Sequence, residues 1–265
     1  MGIAAFLFGG VVGLSLGLTG GGGSIFAVPL LVYGLGFPFR HAVAVSLGVV
    51  GVVAGYGAAI HARRGEVVWG AGIVLGIGGL LAAPVGASLG RLLSERTSLL
   101  LFAAVMLTVA RQMMRARRTS SEIPYGWARC EIEPGFPRPR FSWRCAAKLL
   151  CAGGIVGILS GVFGVGGGFL LVPALLVVLS LPMERALATS LVSITIIAAA
   201  GFLSHLADLR TVDPIFCGAF LGGAILGITV GARIKSRFEA VQLRRIFGVL
   251  TVVAAFTVIA LTLSR

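Results

Sequence analysis

The sequence predicts an all-α polytopic membrane protein made of two inverted repeats, each a re-entrant, glycine-broken helical hairpin followed by three transmembrane helices. Three observations carry that expectation: an apolar composition, a chain that repeats itself at a fixed offset, and an uneven distribution of basic residues. Of 265 residues, 57% are hydrophobic and only 12% charged, with a mean hydropathy of +1.03. Soluble domains carry about 25% charged residues, and uninterrupted apolar runs of roughly 18 or more read as membrane spans. The apolar runs are continuous and do not alternate every second residue, which argues against a transmembrane β-barrel.

The repeat is visible by eye. Residues Gly9 to Pro29 read GGVVGLSLGLTGGGGSIFAVP, and Gly153 to Pro173 read GGIVGILSGVFGVGGGFLLVP. At an offset of about 144 residues, about 17 of the 39 positions from Gly9 to Leu47 are identical. Pro38 then falls on Pro182, Ala42 on Ala186, Ser46 on Ser190 and His61 on His205. Shared hydrophobicity alone does not align glycine with glycine and proline with proline, so the halves are structural copies.

The first repeat covers residues 1–114. Its hairpin, residues 3–35, is apolar from Ile3 to Thr19, breaks at Gly20 to Gly23 and resumes from Ser24 to Leu35. At 1.5 Å per residue the arms reach about 25 and 18 Å, short of a hydrocarbon core of roughly 30 Å. Spans are expected at 41–60, 67–89 and 97–114. The start, MGIAAFLFGG, has neither a basic n-region nor an A-x-A cleavage site, and Phe6 occupies the position a myristoylation signal reserves for Ser or Thr, so it reads as a retained apolar arm.

Residues 115–144 form a hydrophilic linker containing RARR and PGFPRPR, where Pro124, Pro134, Pro137 and Pro139 oppose a regular helix. The second repeat, 145–265, places its hairpin at 145–180, broken between Phe163 and Gly168, and its spans at 185–203, 212–234 and 241–263.

Charge decides how the halves face. If each broken segment crossed the membrane, the linker side would collect about 13 Lys and Arg against 9. If each re-enters, every half has three spans, the second half is inverted, and the linker side collects about 17 against 5. The stronger bias selects re-entrant hairpins, both termini outside and the linker in the cytoplasm.

Other classes are disfavoured by the same residues. A net charge of +13 and a pI near 11.3 point to cytoplasmic loops and lipid headgroups rather than nucleic acid, since the Arg-rich stretch has no nucleic-acid-binding motif. Cys130, Cys145, Cys151 and Cys217 have no CxxC or metal spacing and read as reduced, unpaired residues. GVGGGF lacks the strand and downstream acid of a dinucleotide loop, so no cofactor is expected. Glu66, Glu95, Glu184, Asp208, Asp213 and Glu239 fall in or beside loops, leaving the apolar cores without a carboxylate relay.

The candidate site is where the glycine breaks meet. Irregular backbone at membrane depth must be buried in protein or line a wet cavity, because unpaired N–H and C=O groups cost several kcal/mol in lipid. Returning arms that begin near Ser24 and Gly168 aim free N–H groups and positive helix ends into one volume, which suits an anion. Its expected members are Gly20, Gly21, Gly22, Gly23 and Ser24 from the first hairpin and Gly164, Gly166, Gly167 and Gly168 from the second. Ser46, Thr189 and Ser190 follow just after each hairpin, with Ser193 and Thr195 close behind, and their hydroxyls could coordinate an oxyanion. A competing reading attaches to each feature. Small-xxx-small spacing, as in Gly13 to Gly17 and Gly157 to Gly161, serves close helix packing, and Ser or Thr often bonds back to its own helix. His61 and His205 suit either a gate or an ordinary helix end. Arg63, Arg64, Arg91 and Arg96 read as topology determinants and lipid contacts, although an arginine at a vestibule could recruit anions.

GILSGVFGVGGGFLLVPALL followed by ERALATSLVSI closely resembles the sulfite exporter (TauE/SafE) family of bacterial membrane permeases, and GLSLGLTGGGGSIFAVPLLVYGLG with HAVAVSL is similar to that family's first copy of the motif. The resemblance covers nearly the whole chain except the linker. It implies a permease of the bacterial plasma membrane for sulfite, sulfonates or other small sulfur-containing or organic anions, with membrane lipids as its surroundings. Two alternatives remain: a membrane-embedded sulfur-handling redox protein using Cys151 or Cys217, and an anion channel.

Overall fold

The computed structural model describes residues 2–21, 23–115, 143–163, 167–179, 181–206, 213–234 and 240–263. These are helical throughout, with no strand among the described residues. The first half holds α1 (Gly2–Thr19), a short α2 (Gly23–Pro29) that continues as a π-helical turn (Leu30–Gly34), α3 (Phe39–Arg63), α4 (Trp69–Leu92) and α5 (Glu95–Arg115). The second holds α6 (Trp143–Phe163), α7 (Gly168–Leu179), α8 (Met183–Ser204), α9 (Pro214–Ile234) and α10 (Ala240–Leu263). The expected linker at 115–144 falls almost wholly outside the described residues.

Pro38 and Pro182 stand just before α3 and α8, where a ring with fixed φ and no N–H costs nothing. Pro29 and Pro173, by contrast, lie inside the short returning helices. In the first hairpin a wider π turn, Leu30–Gly34, follows Pro29 directly.

Helix directions follow from which residues touch. Gly9, Gly13 and Gly17 of α1 lie against the backbone of Phe220, Ala224 and Ile228, so α1 runs parallel to α9. Gly153, Gly157 and Gly161 of α6 lie in the same way against Leu75, Gly79 and Ala83, so α6 runs parallel to α4. Each repeat thus seats its first helix in a groove of the other. A Cβ at Gly9, Gly13, Gly153, Gly157 or Gly161 would collide with a facing carbonyl oxygen. These glycines permit backbone-to-backbone packing, where dispersion and weak Cα–H···O contacts replace the hydrophobic effect that lipid does not supply.

At the centre α3 crosses α8 antiparallel: Gly48 meets Phe202, Gly51 meets Ala198 and Gly55 meets Thr195. α3 runs with α9, since Gly57 touches Ile228 and the segment Val45 to Gly55 shares a cavity wall with Cys217 to Leu221. Because α1 and α3 both run with α9, the chain between them must turn back. It does so through α2, whose Gly23 packs on Val12 and Leu16 while Gly34 abuts the Phe8 ring. The same logic makes α6 and α7 a hairpin, entering from the opposite end of the bundle.

Six described helices are long and apolar enough to cross a membrane: α1, α3, α4, α6, α8 and α9. The first arms of both hairpins are thus among them, whereas α5 and α10, where spans were expected at 97–114 and 241–263, are not among those six described helices. Tyr33 Oη and Thr262 Oγ1, 2.7 Å apart, tie the first hairpin to α10. Leu81, Leu89, Val249 and Phe256 are among many large apolar side chains left exposed on the outside, the surface expected where lipid is the solvent. Cys145 is disulfide-bonded and only Cys151 and Cys217 are free among the described cysteines, which corrects the reading of four unpaired thiols.

Candidate functional site

The two glycine breaks touch. A Cβ at Gly21 would collide with the carbonyl oxygen of Gly168, and one at Gly168 would come within 2.8 Å of the carbonyl oxygen of Gly21. No side chain separates the hairpin turns at this point. Gly20 holds φ +66° and Gly167 holds φ +67°, the left-handed region where L side chains are strained. Gly20 N–H donates to Leu16 O at 2.7 Å, closing the last turn of α1, and Gly167 O accepts from the N–H groups of Leu170 and Leu171 as α7 begins.

Ser190 holds the first turn in place. Its hydroxyl lies 2.9 Å from Gly20 O and 2.8 Å from Leu187 O, so the side chain fixes the strained carbonyl and does not present a free donor. Thr189, one residue earlier, faces another way: its Oγ1 accepts from Val68 N–H at 3.0 Å and satisfies a donor at the start of α4. Ser193 donates to Gly72 O at 2.8 Å, a second link between α8 and α4, whereas Thr195 bonds back to Leu191 O. The repeat counterparts of Thr189 and Ser193 are Val45 and Val49, which line an apolar cavity of about 530 Å³ between α3, α8 and α9. The α8–α4 seam is hydrogen-bonded, while valines stand at the same two positions of its copy, α3–α9.

Ser46, the counterpart of Ser190, is fully buried on α3 and its hydroxyl has no partner. Three further buried hydroxyls are also unpartnered, those of Ser15 on α1, Ser98 on α5 and Ser160 on α6. Ser160 lies directly beside the space over Gly167. Buried hydroxyls are normally paired, so three unpaired ones on the helices that lead to and from the turns are sites a ligand could satisfy. Ser15 and Ser160 escaped sequence reasoning, because a lone serine in an apolar helix looks like any back-bonded one. Gly23 packs against α1. Gly22, Gly164, Gly166 and the side chain of Ser24 lie outside the described residues. The structure thus brings together Gly20, Gly21, Gly168 and Ser190, sets Gly167 beside Ser160, and turns Thr189 toward α4.

Both histidines are buried and engaged at helix ends. His61 Nδ1 lies 2.5 Å from Glu66 Oε2, and His205 Nδ1 donates to Gly201 O at 2.9 Å. Cys151 and Cys217 sit on α6 and α9, and no group of three or more His, Cys, Asp or Glu able to hold a metal occurs among the described residues.

Broken hairpins packed inside a bundle of helices long and apolar enough to cross a membrane define a multi-pass membrane protein. The chain belongs to the sulfite exporter TauE/SafE family, whose profile matches residues 5–258. It is similar to a "Probable membrane transporter protein" of Xylella fastidiosa strain 9a5c, 34% identical over 258 residues that cover 95% of this chain and 92% of the relative. Similarity extends to two Bacillus subtilis strain 168 proteins, also named "Probable membrane transporter protein". YdhB is 24% identical, over 88% of this chain and 90% of its own length, and YunE is 26% identical, over 63% and 62%. No solved structure matches the chain at a significant level.

Proposed function

We propose that this chain is a secondary transporter or exporter of a small anion, of the sulfite, sulfonate or related sulfur-containing or organic class, held near the membrane midplane between the two glycine turns. The carrying observation is the direct approach of Gly21 and Gly168, backbone to backbone, from hairpins that enter at opposite ends. The contact itself presents the carbonyl oxygens of Gly21 and Gly168, and the support for an anion is the start of α2 and of α7 beside it, whose N-terminal N–H groups and dipoles favour negative charge without a buried cation. The unpaired hydroxyls of Ser15, Ser46 and Ser160 supply further donors. The halves are inverted, with the linker cytoplasmic and both termini periplasmic in a bacterial inner membrane. The helix directions and the count of about 17 basic residues against 5 support that orientation. Alternating access in such folds is commonly a rocking of one repeat against the other around a fixed midplane site.

Counter-flow in proteoliposomes tests this reading. Vesicles preloaded with sulfite, sulfoacetate, thiosulfate or a small carboxylate should show saturable uptake of the same labelled anion, accelerated from the trans side. Flux without trans-acceleration would assign a channel. The absence of flux for every anion of that panel would overturn the substrate class.

A further inference from the structure

In the proposed orientation the face opposite the linker carries about five of the 22 Lys and Arg residues. Two of these, Arg40 and Arg91, line one cavity of about 380 Å³. It forms where the start of α3, the α4–α5 turn and the ends of α6 and α8 converge, and His41, Glu95, Val162 and His205 share its wall. A bias that strips arginine from an outer face leaves few there without a reason.

Neither arginine is neutralised. Arg91 Nη2 donates to Ser204 O at 2.8 Å and Arg40 Nη2 donates to Arg91 O at 3.2 Å, while neither pairs with a carboxylate among the described residues. A guanidinium has five N–H donors, so bonds to backbone carbonyls fix its position and leave most donors and all of its charge for a ligand. Glu95 is the carboxylate among the lining residues, set against two arginines. Val162 sets the cavity against the last turn of α6, the helix that ends at the second glycine break.

The repeat supplies an internal comparison. At the opposite face the counterpart of Arg40 is Glu184, that of His41 is Arg185, and that of His205 is His61, itself held by Glu66. The counterpart of Arg91 is Lys235, so basic residues stand at both faces, and what differs between them is the exchange of Arg40 for Glu184.

We propose that Arg40 and Arg91 form a peripheral anion-recruiting site at the mouth opposite the linker, taking small oxyanions such as sulfite or a sulfonate before they reach the glycine turns. It rests on the anion reading of the central site, but its test does not require transport. Clefts lined by one sign of charge concentrate the opposite ion and raise its encounter rate. The site acts on capture, leaving the central step alone.

The probe is the local potential. In full-length protein with Cys151→Ser and Cys217→Ser, Leu93→Cys places a thiol in the cavity wall. It is reacted from the linker-distal side with a sulfonate-bearing methanethiosulfonate and, separately, with its trimethylammonium analogue. Normalised to a free thiol, the rate ratio should favour the sulfonate by about threefold or more, and 0.5 M salt should abolish the preference. Arg40→Gln and Arg91→Gln should each lower the ratio by about threefold, with Arg91→Lys restoring it. Arg40 is exposed, so its variant remains informative if loss of the Arg91 tie to Ser204 impairs folding. A ratio equal to that of the free thiol, a ratio indifferent to both Gln variants, or labelling only from the linker side would overturn the proposal. If Gly168→Ala leaves sulfite flux intact while the ratio still collapses in Arg91→Gln, the central site fails and the mouth stands.

Discussion

Adding one methyl group at Gly168 should stop transport without unfolding the protein. Its Cβ would sit 2.8 Å from Gly21 O and 2.7 Å from Ile194 Cδ1. Carbon and oxygen pack comfortably near 3.5 Å, so the two turns must separate by about 0.7 Å while Ile194 swings aside. Overpacking of this kind costs about 1–3 kcal/mol, which an inserted helical bundle absorbs as local movement. The binding volume has less tolerance. Misplacing binding groups by about 1 Å costs on the order of 100-fold in chemical catalysis, and a loss of at least about tenfold in anion flux is expected here. The assay is initial sulfite flux in proteoliposomes, normalised to inserted protein, beside thermal stability in detergent. Gly218→Ala on α9 is the control, because a Cβ there meets nothing within 4 Å. Flux in Gly168→Ala within twofold of Gly218→Ala, at equal insertion, would refute the idea that the contact between the turns forms the site.

Gly13→Val and Gly157→Val address the other class of glycine. Each would drive a side chain into the facing helix backbone, so thermal stability should fall by about 1–3 kcal/mol or more, read as a lower melting temperature; an unchanged melting temperature contradicts the interlocked packing. Ser190→Ala removes the donor that holds Gly20 O and should destabilise by about 1–3 kcal/mol, with flux reduced in parallel, whereas retention of both would deny the hydroxyl its role. A fluorescent-protein and phosphatase reporter pair at the C-terminus should report a periplasmic end; a cytoplasmic signal sinks the inverted arrangement. Cys151→Ser combined with Cys217→Ser should leave flux unchanged, and lost activity would instead favour thiol chemistry.

Much of the architecture was legible because membrane-embedded helices write their constraints plainly. Uninterrupted apolar runs announce helices, and consecutive glycines at matching positions announce breaks that packing alone does not need. The two roles of glycine could be separated by spacing: Gly9, Gly13 and Gly17 at intervals of four pack α1 on α9, while Gly20 and Gly21 turn the chain. What stayed hidden were partners. Nothing in the sequence says that α1 seats against α9 instead of its own repeat, because a small-residue stripe fits any smooth neighbour. Hydroxyl direction was equally hidden. Ser190 and Thr189 are adjacent, yet one fixes Gly20 and the other serves α4, a difference of about 100° around the helix axis that depends on which neighbour packs there. Ser15 and Ser160 gave no signal until burial without a partner marked them.

The exchange of first helices between repeats also governs how the chain can be made. α1 leaves the ribosome before α9, and its groove there is formed by residues more than 200 positions later. Until α9 is inserted, the glycine stripe of α1 faces lipid or the insertion machinery, and the first hairpin has no fixed place to stand. The second repeat has no such wait, since α6 finds α4 already in the membrane. The order of assembly therefore differs between the halves: α6 can pack on a helix already inserted, whereas α1 must wait for α9.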